Sequence, residues 1–479
     1  MKVAIILLPM WSTQAPPLGI NYIGSSLRRD DHDVFVWDYN VQMRKHYESQ
    51  RTDKEFNLWD GSFALDWNHK GIFNSEILPQ LQNTFKYFML EIASKLRKNK
   101  VDAVGFSVYQ SNQNTTDLFA NYFSKVLPDL KIFYGGPSIT VAFPRDNLYR
   151  RTVDAYVFNE GEMAARELVA NWEGGKSINS IDGVLAVQDD GILSDLVKRE
   201  QVNMETLPII DFEDFQLDLY FEKVLPIMMS RGCVALCTFC DEPSYWGKFR
   251  WRSPAHIYKE LEQNTKKYGV KHFQSMDSLL NGHMRNFKKL ADLIVEGELE
   301  ITFAGNVRIS KHMDAEFFRQ LKRAGCKYLV FGLECGSQRI LDKMKKNIKL
   351  EWAIDNFRDC HEAGIEVHAN IIVGFPGEEE EDFKMTLSFL DKVIQHIACV
   401  NVGVGMSIGP GQDVYMNPES YDILLTEKGN VQFDEKGQWQ SKSGSNNHEV
   451  RIDRLKRMRA YLENGKDVLI NPPYYNPAT

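Results

Sequence analysis

The sequence predicts two consecutive α/β domains, each built on a parallel sheet, followed by a small C-terminal α/β or helical tail. Three observations carry this expectation. Short apolar runs that close on glycine or polar residues recur along most of the chain, segments of helical periodicity separate them, and 479 residues are ample for two hydrophobic cores. Strands alternating with helices imply parallel βαβ units with right-handed crossovers.

In the first half, Met1 to Met10 reads as an apolar strand, and Ala15 to Leu27 as a turn feeding a helix. Asp33 to Asp38 alternates as a second strand. Val101 to Ser107, Lys131 to Pro137 and Val153 to Phe158 supply three more. The expected domain, residues 1–170, is a doubly wound sheet of the flavodoxin-like kind with its ligand loops at the carboxyl ends of the strands. Residues 44–79 interrupt it as an insertion in which Trp59, Phe63, Trp67 and Phe73 stand among charges and glycines. A local aromatic mini-core is the first reading of that insertion, and a cap over a cofactor or substrate is the second. Residues 171–220, containing the Leu-Pro segment from Glu205 to Phe215, read as a linker.

In the second half, a short strand from Val224 to Met229 runs into the segment Arg231 to Cys240. Further apolar runs end at Ser278, Arg308, Ser337 and Glu378, with helical patterns between them at Ala255 to Tyr268, Met284 to Gly297, Asp314 to Ala324 and Leu350 to Ala363. Over residues 221–408 this alternation predicts an open (β/α)6 partial barrel whose site lies at the strand ends. Residues 409–479 are polar and turn-rich before a helix from Glu449 to Glu463, and read as a capping region.

Cys233, Cys237 and Cys240 form a C-x-x-x-C-x-x-C triplet. Three thiolates offered to one cluster, with a fourth withheld, suit an iron-sulfur cube that leaves one iron open to a small molecule, whereas structural zinc takes four protein ligands. A catalytic zinc site or a redox thiol set is the alternative, but no histidine lies within fifteen residues of the triplet. Cys326, Cys335, Cys360 and Cys399 stand singly in apolar or helical patterns and read as small buried hydrophobes.

The triplet, with Arg231-Gly232 before it and Phe239 ahead of the last cysteine, resembles the radical S-adenosylmethionine (SAM) superfamily, and the later strand-end segments extend the resemblance. The resemblance implies that Cys233, Cys237 and Cys240 hold a [4Fe-4S] cluster and that Phe239 lies in the SAM site. It further implies that Asp277 or the backbone beside it faces the SAM ammonium, that Arg308 meets a carboxylate, that Glu334 or Ser337 bonds the ribose hydroxyls, and that Gly374 and Phe375 lie at the adenine; for Asp277 and Arg308 a structural ion pair or cap is the alternative. Upstream, Pro16-Pro-Leu-Gly19, Val104-Gly-Phe-Ser107, Gly135-Gly-Pro137 and Glu160-Gly-Glu162, in that order, resemble the cobalamin-binding domain fused ahead of many radical SAM domains. By that resemblance Ser107 to Asn114, Gly135, Gly136, Glu160, Gly161 and Glu162 line cobalamin, with Tyr109 or Gln110 nearest the metal. A D-x-H-x-x-G segment is absent: His32 lacks the following glycine and reads as an exposed turn histidine, so the cobalt is expected to carry no histidine.

The function these resemblances imply is that of a cobalamin-dependent radical SAM C-methyltransferase. It would act on an unactivated carbon of a small-molecule, natural-product or lipid-type substrate, through a 5′-deoxyadenosyl radical and methylcobalamin. The alternatives are an oxidative cyclase or rearrangement enzyme without methyl transfer, a radical enzyme that has lost cobalamin, and a non-catalytic cobalamin or redox sensor. A low-potential donor of the flavodoxin or ferredoxin type is the expected electron source. Trp59, Trp67 and the tail are expected to build a pocket for an apolar or aromatic substrate. The formal charge of −8 argues against nucleic acid or an anionic membrane as partner, and the basic run Lys343 to Lys349 reads as a solvated face. With no apolar stretch of spanning length and no signal-like core, the expected location is cytoplasmic, which suits an oxygen-labile cluster and unpaired cysteines.

Overall fold

The computed structural model describes residues 1–51, 58–59, 64–141, 152–188, 193–221, 223–403, 406–434 and 437–470. The chain divides into two compact units, Met1–Pro226 and Ile227–Thr479. Among the described residues no helix is long and apolar enough to cross a membrane.

The first unit begins with β1 (Lys2–Leu7), α1 (Leu18–Arg28), β2 (Asp33–Asp38) and α2 (Tyr39–Ser49). Short helices α3 (Ala64–Asn68) and α4 (Lys70–Ile72) and a π-helical turn, Phe73–Ile77, lead into the long α5 (Leu78–Asn99). Then come β3 (Ala103–Ser107), α6 (Gln113–Val126), β4 (Lys131–Gly135), α7 (Pro137–Val141), β5 (Ala155–Val157), α8 (Gly161–Glu173) and β6 (Val184–Ala186). The sheet order is β2-β1-β3-β4-β5-β6, parallel except for β6, which runs antiparallel to β5. That is flavodoxin-like order with an added edge strand, and its topological switch point lies between β1 and β3.

The insertion resolves in favour of a core. Trp59 and Trp67 are buried, their rings 5.6 Å apart, and Trp67 meets Phe73 and Phe85. Their indole N–H groups donate to Asn40 Oδ1 (2.8 Å) and to the Leu58 carbonyl (3.0 Å). Among the described residues these tryptophans line no substrate pocket, because both rings are spent on packing against α5 and α2. Phe63 lies outside the described residues. Residues 171–220, expected as a linker, are part of this unit. They supply β6, an Arg28–Asp214 bidentate pair at 2.8 Å and a Tyr220 hydroxyl bond to Asp38 at 2.8 Å.

His32 also differs from expectation: it is buried, with Nδ1 3.3 Å from the terminal amine and 3.7 Å from Glu173. It stands at the amino end of β2, opposite the ligand-loop end of the sheet, which removes it as a cobalt ligand within this unit.

The second unit continues from β7 (Val224–Ile227) through the short ribbon β8 (Ser230–Arg231), α9 (Glu242–Trp246) and β9 (Arg250–Trp251). The main winding follows: α10 (Pro254–Tyr268), β10 (His272–Ser275), α11 (Met284–Glu296), β11 (Thr302–Val307), α12 (Ala315–Arg323), β12 (Cys326–Glu334), α13 (Gln338–Lys343), α14 (Leu350–Glu362), β13 (Glu366–Ile371), α15 (Glu380–Val393) and β14 (Cys399–Val402). The C-terminal region adds α16 (Asp413–Met416), α17 (His448–Glu463) and β15 (Leu469–Ile470). The sheet runs β7-β10-β11-β12-β13-β14-β15, and the registers from β10 to β15 are all parallel. Strands laid down in chain order, each returning through a helix, give the open winding of a partial barrel. Phe287, Phe303, Phe317, Phe318, Phe331 and Phe357 pack the layer between strands and helices.

Candidate active site

The cysteine loop leaves the sheet at β7 and is framed by the β8–β9 ribbon, in which Ser230 pairs with Trp251 and Arg231 with Arg250. Gly232 turns the chain at φ +79°, a conformation that favours glycine. Cys233, Cys237 and Cys240 are half-buried and unpaired. The Cys240 N–H donates to the Cys237 carbonyl (3.1 Å), Ala235 N–H to Cys233 Sγ (3.4 Å) and Thr238 N–H to the Met344 carbonyl (3.0 Å). Burial pushes the Cys237 thiol up and Cys240 up to about 12, so in the free chain these are thiols and ligation displaces protons. Among the described residues no three His, Cys, Asp or Glu side chains converge on a single-ion position. What fits an iron-sulfur cluster is the donor set itself, three free thiols on one loop.

Asp277, just beyond β10, has its carboxylate fully engaged. It accepts from the Met229 N–H (3.1 Å to each oxygen), the Ser230 N–H, and the hydroxyls of Ser230 and Ser275 at 2.5 Å each. Burial pushes its pKa up, and these hydrogen bonds oppose that. Of the roles the sequence offered Asp277, the carboxylate takes the structural one: it ties the end of β7 to the end of β10 three residues before Cys233. Replacing it with asparagine turns an amide NH2 toward donors, with an expected cost of about 2–3 kcal/mol. Urea unfolding checks this, and iron content after reconstitution should fall with it. An unchanged unfolding midpoint would contradict the clamp.

Glu334 ends β12 at φ +66°, a conformation uncommon outside glycine, and pairs with Lys346 at 2.7 Å. Gly332 makes room for the pair: a Cβ there would sit 2.5 Å from Lys346 Nζ and 2.6 Å from Glu334 Oε1. Burial works to lower the Lys346 pKa, but Glu334 holds it above its usual value. The ammonium lies 5.7 Å from the Phe239 ring, and the Arg308 guanidinium donates to the Lys346 carbonyl. Both cations act on Cys237. Phe239, Arg308, Glu334 and Cys237 are thus gathered around Lys346, which the sequence reading had assigned to a solvated face. The signal was the spacing of apolar Met344 and Ile348 on either side of Lys346; all three are buried in a turn whose intervening residues, Lys345 and Asn347, take positive φ.

Ser337 and the Gly374–Phe375 turn have protein partners of their own. The Ser337 hydroxyl donates to Asp382 (2.6 Å). Gly374 adopts φ +83°, and a Cβ on it would lie 2.4 Å from Arg451 side-chain carbons. Phe375 is fully buried and meets Tyr421 edge-on.

In the first unit the loops after β1 and β3 meet at the switch point, where Trp11 stacks on Tyr109 with centroids 3.5 Å apart. Asn112, fully buried, donates to the carbonyls of Leu8 (3.2 Å) and Ser107 (3.0 Å) and accepts from the Tyr109 N–H (2.8 Å). Ser111 donates to the Met10 carbonyl at 2.7 Å. The Tyr109 hydroxyl is turned inward toward Gly19 and Ser107, while Gln110 is exposed. Gly136 (φ +103°) lets β4 turn against Val108, where a Cβ would lie 2.8 Å from backbone N and O. Glu160 stands just ahead of α8 with its carboxylate accepting from the Val202 N–H (2.8 Å), Glu162 is buried, and Gly161 lets α8 approach Ile23 of α1. At the same end, the buried hydroxyls of Thr115 and Ser138 have no partner among the described residues. Unmet donors beside a switch-point crevice fit a ligand rich in hydrogen-bond acceptors, which cobalamin is.

Residues 227–390 match the model of the radical SAM superfamily. The second unit is a radical SAM domain. An uncharacterized methyltransferase of Pyrococcus horikoshii is 25% identical over 439 residues, 89% of this chain and 85% of its own. The fold of both units resembles that of the radical SAM methyltransferase TsrM from Kitasatospora setae, solved with cobalamin and a [4Fe-4S] cluster bound. The TM-score is 0.71 at 15% identity, over 98% of this chain and 91% of that one. It also resembles the cobalamin-dependent S-adenosylmethionine radical enzyme OxsB, solved with aqua-cobalamin and SAM bound, at TM-score 0.66 and 16% identity over 96% of this chain and 61% of that one. The protein is thus a radical SAM enzyme with the fold of cobalamin-dependent members.

Proposed function

We propose that this radical SAM enzyme is a cobalamin-dependent C-methyltransferase that acts on an unactivated carbon of a small molecule. The observation that carries the reading is the presence in one chain of a three-thiol loop and a flavodoxin-like unit whose switch-point end keeps unmet buried donors. When bound, the cluster supplies an electron to cleave SAM and cobalamin supplies a methyl carrier. Cys233, Cys237 and Cys240 hold the cluster. Asp277 fixes the strand end before them. Lys346, oriented by Glu334 and joined by Arg308, offers positive charge beside the cluster, where a SAM carboxylate would be received. Ser107, Tyr109, Gly135, Gly136, Thr115 and Ser138 form the wall for cobalamin. An external low-potential donor of the flavodoxin or ferredoxin type completes the system.

Binding tests the cofactor assignment. The purified protein is expected to take up one equivalent of hydroxocobalamin. In the Co(II) state its electron paramagnetic resonance (EPR) spectrum should lack nitrogen superhyperfine splitting, because His32 lies at the wrong end of the sheet. Nitrogen splitting would overturn the histidine-free site, and failure to bind would overturn the cobalamin reading.

A further inference from the structure

The C-terminal region is fastened to the turn after β13 by buried polar side chains rather than by apolar packing alone. Asn446, fully buried, donates to the carbonyls of Gly374 (3.2 Å) and Phe375 (3.0 Å). Arg451 of α17 donates to Asn446 Oδ1 (3.3 Å) and the Trp439 carbonyl (2.8 Å), and its guanidinium lies 4.3 Å from the centroid of the Trp439 ring. The stem of Arg451 fills the space that a Cβ at Gly374 would need. Arg454, one turn on, pairs with Glu378 at 3.0 Å, and Glu378 accepts from the Gly374 N–H at 2.7 Å. Every polar backbone group of Gly374 is therefore held, directly or through one side chain, by the helix that follows it by some seventy residues.

Burying two guanidinium groups in this way is costly unless their hydrogen bonds specify something an aliphatic cover would not. Burial pushes the Arg451 pKa down to about 10, so it remains a cation at neutral pH. What the network specifies is the conformation of two consecutive residues, one at positive φ, at the mouth end of a barrel strand. The same region holds the cysteine loop: the Val414 N–H donates to the Thr238 carbonyl (3.0 Å) and Ser244 Oγ to the Gly411 carbonyl (2.7 Å).

We propose that Asn446 and Arg451 are positioning residues for SAM: they hold the Gly374–Phe375 turn in the shape that receives the adenine. The proposal rests on the radical SAM reading of the second unit. Neither residue need touch the cosubstrate. Methionine, which lacks the adenosine moiety, is the natural control, because it presents the same amino and carboxylate groups to the cluster and makes no demand on the turn.

The test uses full-length, anaerobically reconstituted enzyme carrying Asn446→Ala, Arg451→Met or Arg451→Lys. Affinity for SAM and for methionine is read from the change each causes in the EPR spectrum of the reduced cluster, and SAM cleavage is followed by kinetics. Asn446→Ala and Arg451→Met are expected to raise the SAM Kd and KM about tenfold, the equivalent of about 1.4 kcal/mol, with kcat within about twofold. Iron content and methionine binding should be unchanged, and Arg451→Lys should recover part of the loss. Should Arg451→Met fail to fold, Asn446→Ala carries the same expectation. Unchanged SAM affinity in a folded Asn446→Ala enzyme would overturn the proposal, and so would methionine binding that falls in parallel with SAM. If the wild-type cluster shows no response to SAM at all, the radical SAM reading itself fails.

Discussion

Replacing Cys233, Cys237 or Cys240 with alanine is expected to abolish reductive SAM cleavage, a loss of at least about a thousandfold and the largest effect of any substitution in this chain. With only three thiols in the loop, each variant leaves two irons of the cube without protein ligands, and a cluster so held is not retained. Wild-type enzyme reconstituted under anaerobic conditions should carry about four irons per chain. Cys326→Ala is the control. That thiol is buried in β12 and pushed far above its ordinary range by burial, so its loss opens a small cavity worth about 1–2 kcal/mol and should leave cleavage intact. A requirement for Cys335 or Cys360 in cluster assembly would contradict an open iron site.

Lys346→Met is expected to have the second-largest effect, in two separable parts. Side chains 346 and 334 are each 9% exposed, so removing the ammonium strands the Glu334 carboxylate in a low-dielectric setting at a cost of about 3–5 kcal/mol. It also removes a cation that acts on Cys237, so SAM affinity should fall by at least about tenfold, or about 1.4 kcal/mol. The double variant Lys346→Met/Glu334→Leu separates the two, because an apolar pair of similar volume restores much of the stability without restoring a charge. Chemical denaturation and SAM-dependent EPR on the same preparations give both numbers. Normal SAM affinity in the double variant would confine Lys346 to a structural role.

Much of the architecture was legible because parallel strands buried on both faces leave near-continuous apolar runs, and amphipathic helices mark the spaces between. The helices expected at Met284 to Gly297 and Leu350 to Ala363 appear as Met284–Glu296 and Leu350–Glu362. β6 escaped notice because the segment around it read as a linker. The role of Asp277 was illegible for another reason: its partners on Ser230 are 47 residues away, and only the fold brings them together. Lys346 was hidden in a run of four lysines between positions 343 and 349, where composition says solvent and only the burial alternation says otherwise. Arg451 and Arg454 sit on a helix rich in charge, and nothing local marks these two as the buried ones. The tryptophans of the insertion were visible, but whether they faced a ligand or one another depended on α5, which supplies the other half of their cluster.

The claim that the enzyme transfers methyl groups is tested most directly by following SAM carrying a deuterated methyl group, with cobalamin, a low-potential reductant and a panel of small-molecule substrates. Methyl transfer through both cofactors predicts S-adenosylhomocysteine and 5′-deoxyadenosine formed together, one from each SAM consumed, with the deuterium label in the product. Formation of a modified product with 5′-deoxyadenosine alone, and no label in it, would contradict the account and assign the protein to cyclisation or rearrangement.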